Sequence, residues 1–318
     1  MPAPTALSTT QSVSFEPARI AHKLPHGSID AFGFFASSTS TSAHTHSTIA
    51  SQQLPVSQPL TAQRLTLSAS VLDPRAWSSL IAARYAHNTA HNTIDSQHIA
   101  IEPIRLNSEV LPDVVLYTTD DRGSRTIFSD DWRTLSRRIE QLTSSAQTLY
   151  PHALSYDIDR LDAIIDQDLI DTLFAIIAAS EHPHAEHLER RDFLHGAQRH
   201  AALRRVFYAR LGWLDEILSH RPFLLGNQLT DADLHVFGVL LTFDIGYRNA
   251  FPVPDAAIVD YPHLWEYARR IYQIPGLVTD DDRRAIGLLP QSDGNFAQPW
   301  GTPAFTETVD DIRAAWNA

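Results

Sequence analysis

Leu229–Tyr247 reads LTDADLHVFGVLLTFDIGY. Thr230 stands ahead of a helical pattern and Asp233 follows three residues later. A threonine hydroxyl there can accept from the backbone N–H of Asp233, while the Asp233 carboxylate reaches back to the N–H of Thr230. That is a capping box with Asp in place of the usual Glu. Leu229 before the cap and Leu234 at the fourth helical position form a hydrophobic staple. Asp231 and Asp233 also favour the positive end of the helix dipole. The apolar stripe Leu234, Phe237, Gly238, Leu241 and Ile245 then faces a core, and Gly238 on that stripe lets another backbone come close. By itself this signal is structural: these residues fold the helix Asp231–Tyr247.

Working outward, His263–Tyr272 and Ala197–Leu218 read as further helices. Ile158, Leu161, Ile164, Ile165, Leu169, Leu173, Ile176 and Ile177 recur at helical spacing over about five turns. Ser180–Asp192 is a polar loop between them. Residues 150–285 therefore form an all-helical domain, with 286–318 as a C-terminal tail. Upstream of Tyr150-Pro151 the pattern changes. Arg64–Leu72, His98–Leu106, Asp113–Thr119 and Arg125–Phe128 read as strands, and Pro74–His87 and Asp130–Leu142 as helices. Residues 61–145 are thus a small α/β domain with helices on a mixed sheet. Residues 1–60, rich in Ser, Thr, Ala, His and Pro, form an N-terminal extension that is partly loop.

The formal net charge of −12 makes a nucleic-acid partner unfavourable, because an acidic surface repels phosphates. No apolar run approaches the roughly 20 residues a membrane span needs, so no membrane partner is expected. The first residues lack a charged segment followed by an apolar one, so the expected location is cytoplasmic. The chain has no cysteine, which removes disulfides, thiolate metal sites and cysteine nucleophiles. His182, His184 and His187 cluster with Glu181, Glu186 and Glu189. The segment lacks HExxH order and a proline interrupts it, so it reads as a solvated loop and no metal site is expected. His44 and His46 are weaker still. There is no Gly-rich phosphate loop and no GxSxG elbow.

An α/β domain followed by a helical domain whose buried helix opens with Thr-x-x-Asp resembles a glutathione transferase. "LTDADLHVFGVLLTFDIGY" and "DYPHLWEYARRIYQIPG" (Asp260–Gly276) closely resemble the C-terminal domain of the Xi-class glutathione transferases, the glutathionyl-hydroquinone reductases. "LYPHALSYDIDRLDAIID" (Leu149–Asp166) fits the start of the same domain less tightly. The resemblance implies a two-domain α+β glutathione-transferase fold: a thioredoxin-like α/β domain, then an all-α C-terminal domain, in a homodimer. It also implies glutathione, or another low-molecular-weight thiol, as co-substrate beside an electrophile, with no metal.

The family's nucleophile lies in Cys-Pro-Trp-Ala between the first strand and first helix. On "LSASVLDPRAWSSLI" (Leu67–Ile81) that motif falls, without a gap, on Asp73, Pro74, Arg75 and Ala76. A carboxylate is a poor nucleophile toward sulfur and forms no mixed disulfide, so Cys-dependent reductase activity is not expected. Asp-Pro is equally a good helix start, with Asp73 as N-cap and Pro74 at the first helical position. A polar role toward a ligand stays open beside it. The family's cis-proline falls on Val114, with Pro112 two residues upstream, and a trans bond is expected there. The Glu-Ser pair that holds the γ-glutamyl end falls on Asp131 and Trp132. Asp131 can still accept from an α-amino group; Trp132 cannot replace the serine hydroxyl. The resemblance thus places thiol binding at Arg75, Val114, Asp131 and Trp132. It places the electrophile pocket at Phe174 (or near Phe193) and Tyr272, with Asp73 and Tyr272 as candidate catalytic groups. Tyr272 is equally well read as an ordinary half-buried aromatic. Two functions stay open: a thiol-binding transferase-like protein, or a non-catalytic binding or assembly module on the same fold.

Overall fold

The computed structural model describes residues 64–89, 99–103, 114–120, 122–143, 148–180, 190–250, 256–299 and 306–318. The N-terminal extension, His44, His46, Pro112 and the 181–189 His/Glu segment lie outside them, as does the side chain of Phe193. The chain divides after Gln58, and the described elements all belong to the unit Pro59–Ala318.

The α/β part runs β1 (Arg64–Ala69), α1 (Ala76–Thr89), β2 (Ala100–Pro103), β3 (Val114–Thr119), β4 (Arg125–Ser129) and α2 (Trp132–Thr143). The sheet order is β2-β1-β3-β4. β1 pairs parallel with β2 across α1, and antiparallel with β3, which pairs antiparallel with β4. A parallel pair needs a crossover, and α1 supplies it. Leu65, Leu67 and Ala69 of β1 are buried, and so are Thr66 and Ser68. A central strand covered on both faces shows no polar alternation. The edge strand β4 does the reverse: Ile127 is 48% exposed.

The helical part runs α3 (Ser155–Ile165), α4 (Thr172–Ser180), α5 (Arg190–Leu218), α6 (Asp231–Ile245), α7 (Pro262–Tyr272), α8 (Asp280–Ala285) and α9 (Thr306–Asn317). The periodicity over 158–177 predicts five continuous turns. Instead a wide π turn, Asp166–Asp171, joins α3 to α4, and Thr172 Oγ1 donates to the carbonyl of Gln167 at 3.0 Å. A π turn inserts one residue into the ladder and rotates the next helical turns, which the apolar spacing alone does not reveal. The segment read as a tail carries α9, whose Trp316 is 1% exposed.

All fifteen residues of α6 are buried, polar ones included, so the helix has no wet face. Its predicted start is present: the capping box forms, and Asp233 Oδ2 accepts from the Thr230 N–H at 2.7 Å. Gly238 meets α1 as its spacing suggested. A Cβ there would lie 2.4 Å from the Pro74 carbonyl oxygen and 2.7 Å from Trp77 Cβ. α1 is accordingly covered on two sides, with Trp77, Leu80 and Ile81 each at most 1% exposed.

Candidate functional site

The β1–α1 turn places Asp73. Its N–H donates to the Ser70 carbonyl at 3.1 Å, and its own carbonyl accepts from the Ala76 N–H at 3.1 Å. The helix thus begins at Ala76, two residues later than an Asp-Pro start predicts, because Asp73 and Pro74 are spent on the turn. Asp73 still caps, its Oδ1 accepting from the Arg75 N–H at 2.8 Å. Further groups fix the turn from outside. Trp77 Nε1 donates to the Val71 carbonyl at 3.0 Å, and the Tyr247 hydroxyl, arriving from the end of α6, donates to the Leu72 carbonyl at 2.9 Å.

The Asp73 carboxylate is 2% exposed and already occupied. Arg75 Nε donates to Oδ1 at 3.0 Å and to Oδ2 at 3.1 Å. The Arg75 guanidinium lies 5.1 Å above the Phe174 ring, and Phe174 meets Tyr247 edge-on at 6.1 Å. Three predicted positions, Asp73, Arg75 and Phe174, are therefore brought together with Tyr247, which sequence reasoning missed. The chemistry available is an internal ion pair over an aromatic face. Removing the guanidinium leaves a buried carboxylate with one backbone donor. Arg75→Ala is expected to lower stability by about 2 kcal/mol, less than a fully buried pair because Arg75 is partly exposed. A thermal melt checks this: a drop of roughly 4–8 °C is expected, and an unchanged melting temperature would show that the pair contributes nothing.

Val114 opens β3 opposite Ala69 and is 3% exposed. No cis peptide bond occurs among the described residues. Asp131 is exposed and serves as the cap of α2. Its Oδ2 accepts from Thr134 Oγ1 at 2.7 Å and its carbonyl from the Thr134 N–H at 3.1 Å. Trp132 is half-buried. Its ring lies 5.8 Å from the His235 ring on α6, with the Arg133 guanidinium 4.5 Å from its centre. The indole therefore turns toward the helical part. Tyr272 stands apart from these groups: it is 3% exposed, packed edge-on against Trp316 at 5.1 Å and under the Arg283 guanidinium at 4.8 Å. Burial raises its phenol above the ordinary value, the opposite of what an activating phenolate needs. The aromatic reading of Tyr272 fits this surrounding better than the catalytic one.

A second polar cluster lies where α2 meets α3 and α6. Arg137 donates from Nε to Asp231 Oδ2 at 2.8 Å, from Nη2 to Asp162 Oδ2, and pairs through Nη1 with Asp159 at 2.8 Å. Arg133 donates to Asp166 at 2.6 Å. Burial works against the Arg137 charge, yet hydrogen bonding to Asp231 and the charges of Asp231 and Asp162 hold its pKa above the ordinary value. Burial pushes the Asp162 carboxyl up to about 7. Sequence reasoning missed this cluster. One signal was available: Asp231 and His235 are four residues apart and so share a helix face.

Residues 184–270 match the family model described as glutathione S-transferase, C-terminal domain. The chain is 30% identical over 162 residues to the glutathionyl-hydroquinone reductase YqjG of Escherichia coli, covering 49% of this chain and 44% of that one. It is 43% identical over 54 residues to the glutathionyl-hydroquinone reductase PcpF of Sphingobium chlorophenolicum, covering 17% of each. The matched stretches span less than half the length of these relatives. Among solved structures, the glutathione-bound YqjG, described as a glutathione transferase homolog, superposes with a TM-score of 0.56 at 20% identity, over 76% of this chain and 84% of that one. The glutathione transferase Xi of Phanerochaete chrysosporium gives 0.52 at 17% identity, over 73% and 87%.

Proposed function

We propose, for a chain that has the glutathione-transferase fold and carries that family's C-terminal domain, that it binds glutathione or another low-molecular-weight thiol without Cys-dependent reductase turnover. The supporting observation is the turn between β1 and α1. Where the related reductases are expected to carry their nucleophile, this chain holds Asp73, buried and paired with Arg75. A thiolate at a helix start attacks sulfur; a carboxylate closed by a guanidinium does not. The thiol would bind beside this turn and the start of α2, near Arg75, Val114, Asp131 and Trp132, and an electrophile would lie toward Phe174.

Calorimetric titration with glutathione, on the wild type and on Trp132→Ser, tests the binding. Micromolar to low-millimolar binding by the wild type supports the reading. Binding by Trp132→Ser alone means that the indole closes an inherited pocket. Binding by neither overturns the thiol reading. Glutathionyl-hydroquinone turnover is expected to be undetectable in the wild type, and measurable turnover would overturn that part of the proposal.

A second reading, a non-catalytic binding or assembly module, is favoured by one observation: the Asp73 carboxylate is satisfied from within the chain and offers a ligand little. In that case a protein partner, or a second copy of the chain, replaces the thiol.

A further inference from the structure

We propose that Asp162, Asp231 and His235 form a buried site for a zinc-class divalent metal ion, set between the α/β part and the helical part. Each residue offers one ligand atom, and these atoms lie within 4.8 Å of one another. His235 Nε2 stands 3.9 Å from Asp231 Oδ1. All three residues are buried, His235 at 2% exposure and Asp231 at 1%.

The polar residues of α6 show why this group stands out. Asp233 receives the N–H groups of Leu224 and Thr230. Thr242 Oγ1 donates to the Gly238 carbonyl, and Asp244 receives the Ile258 N–H and Trp316 Nε1. His235 alone among them has neither ring nitrogen hydrogen-bonded, and Asp231 Oδ1 and Asp162 Oδ1 also lack a donor. Four lone-pair-bearing atoms thus converge from two helices in a dry place. A buried polar atom is stable only when something satisfies it.

The surroundings suit a cation. Arg137 takes the other oxygen of each carboxylate, Oδ2 of Asp231 and Oδ2 of Asp162, and so turns the free Oδ1 atoms toward His235. Outer partners that orient metal-bound carboxylates act in the same way. Four carboxylates (Asp159, Asp162, Asp166 and Asp231) stand against two guanidiniums (Arg133 and Arg137), an excess of two negative charges. One divalent ion cancels it. One imidazole with two carboxylates suits zinc, and three protein ligands leave a fourth position for water. Small side-chain rotations bring the three atoms to the about 2.0–2.2 Å bonds that zinc makes with nitrogen and oxygen. The Trp132 ring against His235 helps keep bulk water out.

The test uses the full chain, stripped with a chelator and titrated with Co²⁺ by visible absorption and with Zn²⁺ by calorimetry. The sixteen histidines give weak background sites in every variant, so the comparison between variants decides. The wild type is expected to bind one equivalent with micromolar or tighter affinity, with cobalt ligand-field bands. His235→Gln is expected to lose that equivalent, and Asp162→Asn to weaken it at least about tenfold. Saturating Zn²⁺ is expected to raise the wild-type melting temperature by several degrees, and to raise that of Asp162→Asn little. Asp162→Asn is close to isosteric and carries the test should His235→Gln not fold. Equal stoichiometry and affinity in the wild type and Asp162→Asn, or a wild-type melting temperature that Zn²⁺ does not move, would overturn the site and leave a proton as the compensating charge.

Discussion

Asp233→Ala is expected to destabilise the protein by about 4 kcal/mol, near the upper end of single-residue effects. Its carboxylate is fully buried and serves two segments at once. Oδ1 accepts from the Leu224 N–H at 2.9 Å, and Oδ2 accepts from the N–H and the hydroxyl of Thr230, each at 2.7 Å. Here the structure refines the predicted cap, for the Thr230 hydroxyl also donates to the carboxylate. Alanine strands three donors in a place that water does not reach, and each stranded donor costs about 1–3 kcal/mol. Relief of a buried charge offsets part of this, since burial pushes the Asp233 carboxyl up to about 6. Chemical denaturation should show a lower midpoint with an unchanged slope. Asp233→Asn retains one accepting oxygen and should fall between the wild type and alanine. A loss below about 1 kcal/mol for Asp233→Ala would mean that the helix start rests on the staple and packing instead.

Gly238→Ala is expected to cost about 3 kcal/mol and roughly 6–12 °C of melting temperature. The added Cβ meets the Pro74 carbonyl oxygen at 2.4 Å and Trp77 Cβ at 2.7 Å, and neither is the free end of a flexible side chain. Relief requires α1 to move off α6. That strains the turn holding Asp73 and the edge-on contact of Trp77 with Phe237 at 6.2 Å. Alanine's higher helix propensity returns only about 1 kcal/mol. Gly212, in α5, makes the control, because a Cβ there meets nothing within 4 Å. Gly212→Ala should be neutral or stabilising by up to about 1 kcal/mol. Equal melting temperatures for the two alanine variants would show that the close approach carries no constraint.

The two sites differ in how far they could be read from the chain. Gly238 on an apolar stripe implied a close neighbour, because a residue without a side chain on a buried face has few other uses. Which neighbour it meets was not legible, since Pro74 and Trp77 lie more than 160 residues away. Asp73 was legible as a cap and as a misfit at the nucleophile position. Its burial and its pairing with Arg75 were not, because Arg75 is positioned by the Phe174 ring from another element. Tyr272 reads as half-buried from its local pattern, and α9 buries it through Trp316.

By itself, the sequence determined the order of strands and helices, the capped start of α6 and the absence of any thiol chemistry. Each of these depends on neighbours within a few residues, where periodicity and capping act. The tertiary structure decided the rest. It buried α6 on every side, put a π turn into a pattern that reads as continuous helix, and closed Asp73 with a guanidinium. It also gathered Asp162, Asp231 and His235 around one point. Those outcomes depend on contacts between segments remote along the chain. Local pattern is silent about them, because hydrophobic spacing tells which face of a helix is apolar and not what will stand against it.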